Sequence, residues 1–219
     1  MRSIAMALWL TSLCLLAPAF VVNAQGPPSR LAPTATGPTQ ELWRHENGNA
    51  TVLRWQWLNG TTWYVPASNP LGFVLVDAQT VVPVLDQTVY QITDYREGFF
   101  WGKLVKKVTG SPPSCLSMIG SVTPEGWVSM SLVSQAAGAD GVPSRGTGIM
   151  TFKGGEWTMV WQGASGPDAF NQYSHWAYMT QTRPGLPSWN NLPFVDVAVP
   201  DFMAQCPGSG PTLVEPGKR

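Results

Sequence analysis

The stretch Trp157-Thr158-Met159-Val160-Trp161, with tryptophan at both ends, decides the fold class of this chain. Its two tryptophans lie an even number of residues apart, as do those of Leu53-Arg54-Trp55-Gln56-Trp57. Even spacing is typical of a β-strand, in which every second side chain points to the same face of the sheet. Both stretches therefore predict strands that carry an aromatic face.

Short alternating runs of this kind, separated by turn residues, continue along the middle of the chain. Asn59-Gly60 is the strongest turn signal, because both residues accept the positive φ of a type I′ hairpin turn. The predicted strands lie at 41–46, 51–58, 61–66, 72–77, 80–85, 88–95, 99–108, 116–122, 126–133, 147–153, 156–162 and 173–181. No helical period separates them, so we predict an all-β domain at 40–182, an antiparallel meander that closes into a barrel.

The N-terminus has the pattern of a secretory signal peptide at residues 1–24. Arg2 provides the positive start, residues 4–22 are mostly apolar, and Val22-Asn23-Ala24 is a small-residue cleavage signal. The alternative is an uncleaved membrane anchor, since the apolar run is just long enough to span a bilayer. Cleavage predicts a secreted or periplasmic protein without stable membrane insertion, which begins with a flexible leader at 25–39.

The charge of the chain excludes one class of partner. Removal of residues 1–24 from the 219 leaves 195, and the loss of Arg2 from 13 basic and 13 acidic residues leaves a net charge of −1. No basic stripe remains, so we expect no nucleic-acid partner.

Two cysteines remain after cleavage, Cys115 and Cys206. In an oxidising compartment we expect them to form a disulfide, and the alternative is a pair of buried free thiols. The bond would hold a Pro-rich C-terminal tail at 183–219 against the barrel. The scattered cysteines and histidines do not have the spacing of a metal site, so we predict neither metal nor cofactor.

Three glycine-flanked stretches resemble the later hairpins of calycin-type meander barrels, the lipocalin and avidin group. They are Gly98-Phe99-Phe100-Trp101-Gly102, Gly120-Ser121-Val122 followed by Gly126, and Gly146-Thr147-Gly148. The chain also resembles uncharacterised secreted bacterial β-barrel proteins, through its Phe-Trp-Gly, Ser-Val-Thr-Pro-Glu-Gly and His-Trp-Ala-Tyr-Met stretches. The calycin resemblance implies a barrel with an apolar ligand in its lumen.

The tryptophans are the main indication of function. Ten of the eleven follow the predicted signal peptide. They could fill a core, line a cavity for an apolar molecule, or form an exposed platform that stacks on sugar rings. The number of indoles exceeds what a core of this size requires, which favours a binding role.

The candidate ligand contacts are Trp101, Trp157, Trp161, His175, Tyr95 and Arg96. If residues 173–181 form a strand, Tyr173, His175, Ala177 and Met179 share one face. His175 is then either a ligand contact or a half-buried histidine bonded to a neighbour. Arg96 could hold a carboxylate at the barrel rim, or it could be a solvated turn residue.

These observations predict a binding protein that holds a small, largely apolar ligand in an aromatic-lined barrel cavity. One alternative is a carbohydrate-binding module with an exposed tryptophan platform. A second is a secreted isomerase or hydrolase that uses His175. No catalytic residue is assigned, because none of the common catalytic motifs occurs in the sequence.

Overall fold

The computed structural model of the chain describes residues 54–68, 70–77, 79–135, 144–165, 172–208 and 210–214. The predicted signal peptide, the leader and the predicted strand at 41–46 lie outside the described residues.

The described residues form an all-β fold, as the sequence predicts. Nine strands are present: β1 (Thr62–Tyr64), β2 (Leu71–Leu75), β3 (Val81–Arg96), β4 (Phe99–Val108), β5 (Ser114–Val122), β6 (Trp127–Ser134), β7 (Ser144–Lys153), β8 (Glu156–Ala164) and β9 (Gln172–Thr182). A 3-10 helix, Gln56–Leu58, precedes them. Two short helices follow, α1 (Pro187–Asn190) and α2 (Val199–Ala204).

The sheet closes into a barrel through β3. This strand pairs with β4 on one side, from Asp86↔Val108 to Arg96↔Phe99. On its other side it pairs with both β1 and β2, and both of these also pair with β9. β1 and β2 therefore share one position in the barrel, which has eight antiparallel positions in all. The prediction of a closed antiparallel meander is confirmed.

Two details of the strand prediction are wrong. The predicted strands at 80–85 and 88–95 are one strand, β3, because Asp86 and Gln87 are buried in it instead of forming a turn. The Gln87 amide Nε2 donates to the carbonyls of Val65 and Pro193, each at 3.0 Å. These bonds satisfy a polar side chain that would otherwise oppose burial.

Residues 54–58, predicted as part of a strand, instead form a helical turn that lies inside the barrel. Its Trp55 and Leu58 are fully buried, and the Trp55 indole N–H donates to the Thr123 carbonyl at 2.9 Å. Asn59 has φ −57° and ψ 128°, and Gly60 has φ 75°. These angles are those of a type II turn and not of the type I′ hairpin turn that the sequence suggests.

Aromatic side chains fill this end of the barrel. The Trp55 and Trp157 rings meet edge to face with centroids 5.0 Å apart, and the Trp57 and Trp157 rings stack at 5.9 Å. Each such pair contributes about 0.5–1.5 kcal/mol beyond the burial of its area. Trp63 and Trp161 are buried in the same core. Buried indoles and methionines therefore share this core with aliphatic side chains.

The C-terminal tail packs on the outside of the barrel. Leu192, Val199 and Phe202 are buried against Val89 and Val105, which point outward from β3 and β4. A disulfide between Cys115 and Cys206 joins the end of this tail to β5, as the sequence predicts. The tail therefore covers apolar surface that the barrel itself cannot bury.

Loss of the disulfide should destabilise the fold strongly. The bond closes a loop with a sequence separation of 91 residues, for which the chain-entropy relation gives about 4 to 5 kcal/mol. We expect urea unfolding of a Cys115→Ala/Cys206→Ala variant to show a loss of this order. The reduced wild type, which keeps both side chains, is the matched control. A loss below about 1 kcal/mol in both would mean that packing alone holds the tail.

Candidate functional site

A concave groove of about 960 Å³ is lined by β6–β9 and by residues between Val65 and Phe73. Its floor contains a row of small polar side chains that neighbour one another across the strands, Ser129, Thr147 and Gln162. Arg145 and Ser174 belong to the adjacent row, and both also line the groove. The floor thus offers hydroxyl, amide and guanidinium groups to a ligand.

Aromatic residues form one wall of this groove. Trp176 and Tyr178 point outward from β9 and are 57% and 54% exposed. Their rings meet edge to face, with centroids 5.6 Å apart. Phe73 of β2 pairs with Ser174 of β9 and is also exposed at the groove. Exposed apolar side chains clustered around a polar depression are typical of binding surfaces.

Two facing glycines, Gly146 and Gly163, form part of the groove floor. A Cβ at Gly146 would lie 2.0 Å from the Gln162 carbonyl oxygen and 2.5 Å from the Trp161 ring. A Cβ at Gly163 would lie 2.9 Å from the Trp161 indole nitrogen. The Trp161 ring therefore covers these two glycines on the inner face of the sheet, and the groove lies on the outer face at the same place.

A second candidate site lies inside the barrel, near the β2–β3 and β4–β5 connections. We call it the Asp86 cluster, and it consists of Asp86, Thr88, Lys106, Tyr173 and His175. The pairing register places all of these side chains on the inner face of β3, β4 and β9. A buried polar group is costly unless it is hydrogen-bonded, so the contacts among these five side chains decide whether the cluster is stable.

Asp86 is the centre of this cluster and is fully buried. The Thr88 hydroxyl donates to Oδ1 at 2.9 Å, and the Tyr173 hydroxyl donates to Oδ2. Gly72 leaves room for this contact, since a Cβ there would lie 2.6 Å from the Tyr173 hydroxyl. Burial, followed by the charge of Asp86, raises the pKa of Tyr173 far above its ordinary value, so the phenol stays a donor.

His175 is 7% exposed, and its Nδ1 lies 3.9 Å from Asp86 Oδ2. Among the described residues, neither ring nitrogen makes a hydrogen bond of ordinary length and angle. Burial lowers the pKa of His175; Asp86 and a contact with the Leu71 backbone oppose this effect, and Lys106 adds to it. The imidazole is therefore neutral at pH 7 and has one donor nitrogen and one acceptor nitrogen.

The Lys106 ammonium lies 4.1 Å above the centroid of the Tyr173 ring, within range of a cation–π interaction. The Tyr173 ring also contacts the imidazole. The Tyr173 and His175 rings are nearly parallel, with their centroids 6.0 Å apart. Burial lowers the pKa of Lys106, and the charge of Asp86 opposes this shift.

The structure distributes the sequence-predicted site residues over several places. Trp161 is 1% exposed in the core, and Trp157 belongs to the aromatic group at the end near the 3-10 helix. Trp101 is half-buried on β4, and its indole N–H has no partner among the described residues. Tyr95 and Arg96 end β3, where the Tyr95 hydroxyl accepts from the Gly98 amide at 3.1 Å.

Of that predicted set, His175 is the residue that lies at both candidate sites. It belongs to the Asp86 cluster, and it also lines the groove next to Trp176. The predicted grouping of Tyr173, His175, Ala177 and Met179 on one face of a strand is confirmed. Sequence reasoning missed Asp86 and Lys106. The sequence shows that Asp86 shares a strand face with Thr88, and Lys106 with Leu104. It does not show the strand pairing that brings these residues to His175.

Comparison with known proteins does not add an assignment. No protein-family model, curated protein or solved structure matches the chain. Within the described ranges, no group of three or more His, Cys, Asp or Glu residues is arranged to hold a metal ion. The same ranges contain no helix long and apolar enough to cross a membrane.

The lowered pKa of His175 predicts a pH-dependent stability. Below the ordinary histidine pKa of about 6.5, the unfolded chain takes up a proton that the folded site disfavours. The free energy of unfolding should therefore decrease as the pH is lowered below about 6.5. The decrease is at most about 1.4 kcal/mol per pH unit and ends at the pKa of His175 in the folded protein. Urea unfolding at pH 7.5 and 5.0 should show a smaller fall for His175→Gln than for the wild type. Equal falls would contradict the buried neutral imidazole.

Proposed function

We propose that the protein is a carbohydrate-binding protein that takes a sugar chain into the groove on the outer surface of β6–β9. The observation that carries this proposal is the placement of exposed Trp176 and Tyr178 beside the polar row Ser129, Thr147 and Gln162. A sugar ring has apolar C–H faces and a polar rim. Aromatic rings bind the faces, while hydroxyl and amide side chains bond the rim.

The dimensions and openness of the groove support a chain-like ligand. Its volume of about 960 Å³ lies at the upper end of the range for small-molecule sites. Arg145 adds a forked donor that can bind two oxygens at once. A polymer could enter such a groove from its side, whereas a closed lumen admits only a free small molecule.

An apolar ligand in the lumen, the first hypothesis from the sequence, has less support. Trp55, Trp63 and Trp161 are at most 1% exposed and pack in one core with Phe100 and the methionines. A ligand at their position would have to displace well-packed indoles, and interiors of native density have little free volume for this. The aromatic groove outside needs no such rearrangement.

Export from the cytoplasm is part of the same proposal. The signal-like residues 1–24 and the disulfide both suit a secreted or periplasmic protein. A protein in these locations meets polysaccharides of the cell envelope and of the extracellular medium. The partner is accordingly a sugar polymer and not a nucleic acid, which the near-neutral charge of the chain would not attract.

Replacement of Trp176 tests this proposal against a matched control. Trp127 of β6 is as exposed as Trp176, 59% against 57%, but it does not line the groove. If the groove binds sugar, Trp176→Ala should weaken binding about tenfold or more, as for a central aromatic contact, and Trp127→Ala should change it little. Affinity electrophoresis in a panel of soluble polysaccharides measures both. Equal losses, or no binding by the wild type to any polysaccharide, would refute the proposal.

A further inference from the structure

Three lysines lie on β4, and one of them points into the barrel. Lys103 and Lys107 point outward, where their ammonium groups donate to the carbonyls of Gly208 and Ser111, at 3.1 and 2.5 Å. Lys106 is on the inner face with Leu104, half-buried above the Tyr173 ring. Among the described residues, no hydrogen bond or ion pair holds its ammonium.

We propose that Lys106 is a nucleophile that forms an imine with a small aldehyde or ketone bound at the Asp86 cluster. The proposal concerns the inner face of the wall and does not depend on sugar binding at the outer groove. Two observations carry it: the inward Lys106 amine, which has no hydrogen bond or ion pair among the described residues, and the buried His175, whose ring nitrogens make no well-formed hydrogen bond. Both side chains lie against the Tyr173 ring, so the amine and the imidazole share one polar site inside the barrel.

The charge of the cluster selects the class of ligand. Asp86 is the acidic residue of the cluster and Lys106 the basic one, and each is the other's counter-charge. A carboxylate or phosphate ligand would leave one buried negative charge without a counter-charge, which is costly in a barrel interior. A neutral carbonyl compound adds no charge, and its oxygen can accept the donors that the cluster leaves unused.

Only the unprotonated fraction of the Lys106 amine can attack a carbonyl carbon, and burial increases this fraction. Burial lowers the pKa of Lys106, although Asp86 opposes the shift. A desolvated lysine beside groups that can exchange protons is the usual arrangement for imine formation. His175 offers one nitrogen that can take a proton and one that can give a proton, and Tyr173 offers a hydroxyl.

The reaction is a condensation without oxidation or reduction. The Lys106 nitrogen attacks the carbonyl carbon, a C–N bond forms, and the electron pair of the C=O π bond moves to oxygen. A proton passes from nitrogen to that oxygen, and the C–O bond then breaks with a second proton transfer, so that oxygen leaves as water. The product is a C=N bond, and when this is protonated the carboxylate of Asp86 is its counter-charge.

Reductive trapping of the full-length protein tests the proposal with internal controls. We would incubate it with benzaldehyde and sodium cyanoborohydride, which reduces the imine to a stable secondary amine, and follow each lysine by peptide mass spectrometry. Labelling at Lys106 should be at least tenfold faster than at Lys103 and Lys107. These two share its strand but not its surroundings. Equal or slower labelling at Lys106 would overturn the proposal.

An Asp86→Asn variant separates a reactive site from a merely accessible amine. Because the charge of Asp86 raises the pKa of Lys106, its loss should leave more of the amine unprotonated at pH 7 and speed the labelling of Lys106, while the rates at Lys103 and Lys107 stay unchanged. Unchanged labelling at all three lysines would overturn the role of Asp86, and with it the proposed site. If the variant does not fold, the rates at Lys103 and Lys107 will also change, and the wild-type comparison alone decides.

Discussion

Closure of the sheet through β3 is the constraint on which the rest of the structure depends. β3 is 16 residues long and pairs with β4 on one side and with β1 and β2 on the other. Closure removes the exposed sheet edges that would otherwise invite aggregation. It also fixes which side chains face the interior, because a shift of one residue in register would reverse every strand face. The placement of Asp86 and Lys106 inside the barrel follows from this one pairing.

Because the barrel is closed, β9 contributes side chains both to the interior and to the outer groove. Successive residues of a strand point to opposite faces, so His175 enters the barrel and Trp176 enters the groove. The two ends of the barrel interior differ. Indoles and methionines lie at the end near the 3-10 helix, and the Asp86 cluster lies near the opposite end. The two candidate sites are thus separated by one layer of backbone, yet they differ in chemistry. The groove presents exposed aromatic and small polar side chains, while the cluster consists of polar groups that contact one another inside the barrel.

The sequence predicts those features that depend on local pattern. Period-two alternation gives the strands and the inward face of Tyr173, His175, Ala177 and Met179, and the cysteine count gives the disulfide. It misleads where tertiary contacts override the local signal. Asp86-Gln87 resembles a turn but is buried in β3. There the Gln87 amide donates to backbone carbonyls, and the Asp86 carboxylate accepts from Tyr173. Trp55-Gln56-Trp57 resembles a strand but forms a helical turn, because both Trp55 and Leu58 then reach the core. The Asp86 cluster depends on register between distant strands, which no single sequence specifies by pattern.

We propose that ligand binding occurs at the outer groove and not in the aromatic lumen. Fluorine NMR of protein labelled with 5-fluorotryptophan gives one resonance for each tryptophan, and single Trp→Phe variants assign them. During titration with a polysaccharide fragment that the protein binds, the resonance of Trp176 should shift, while those of Trp55, Trp63 and Trp161 should stay in place. Shifts at the three buried tryptophans with an unchanged Trp176 resonance would contradict the account and return the site to the lumen.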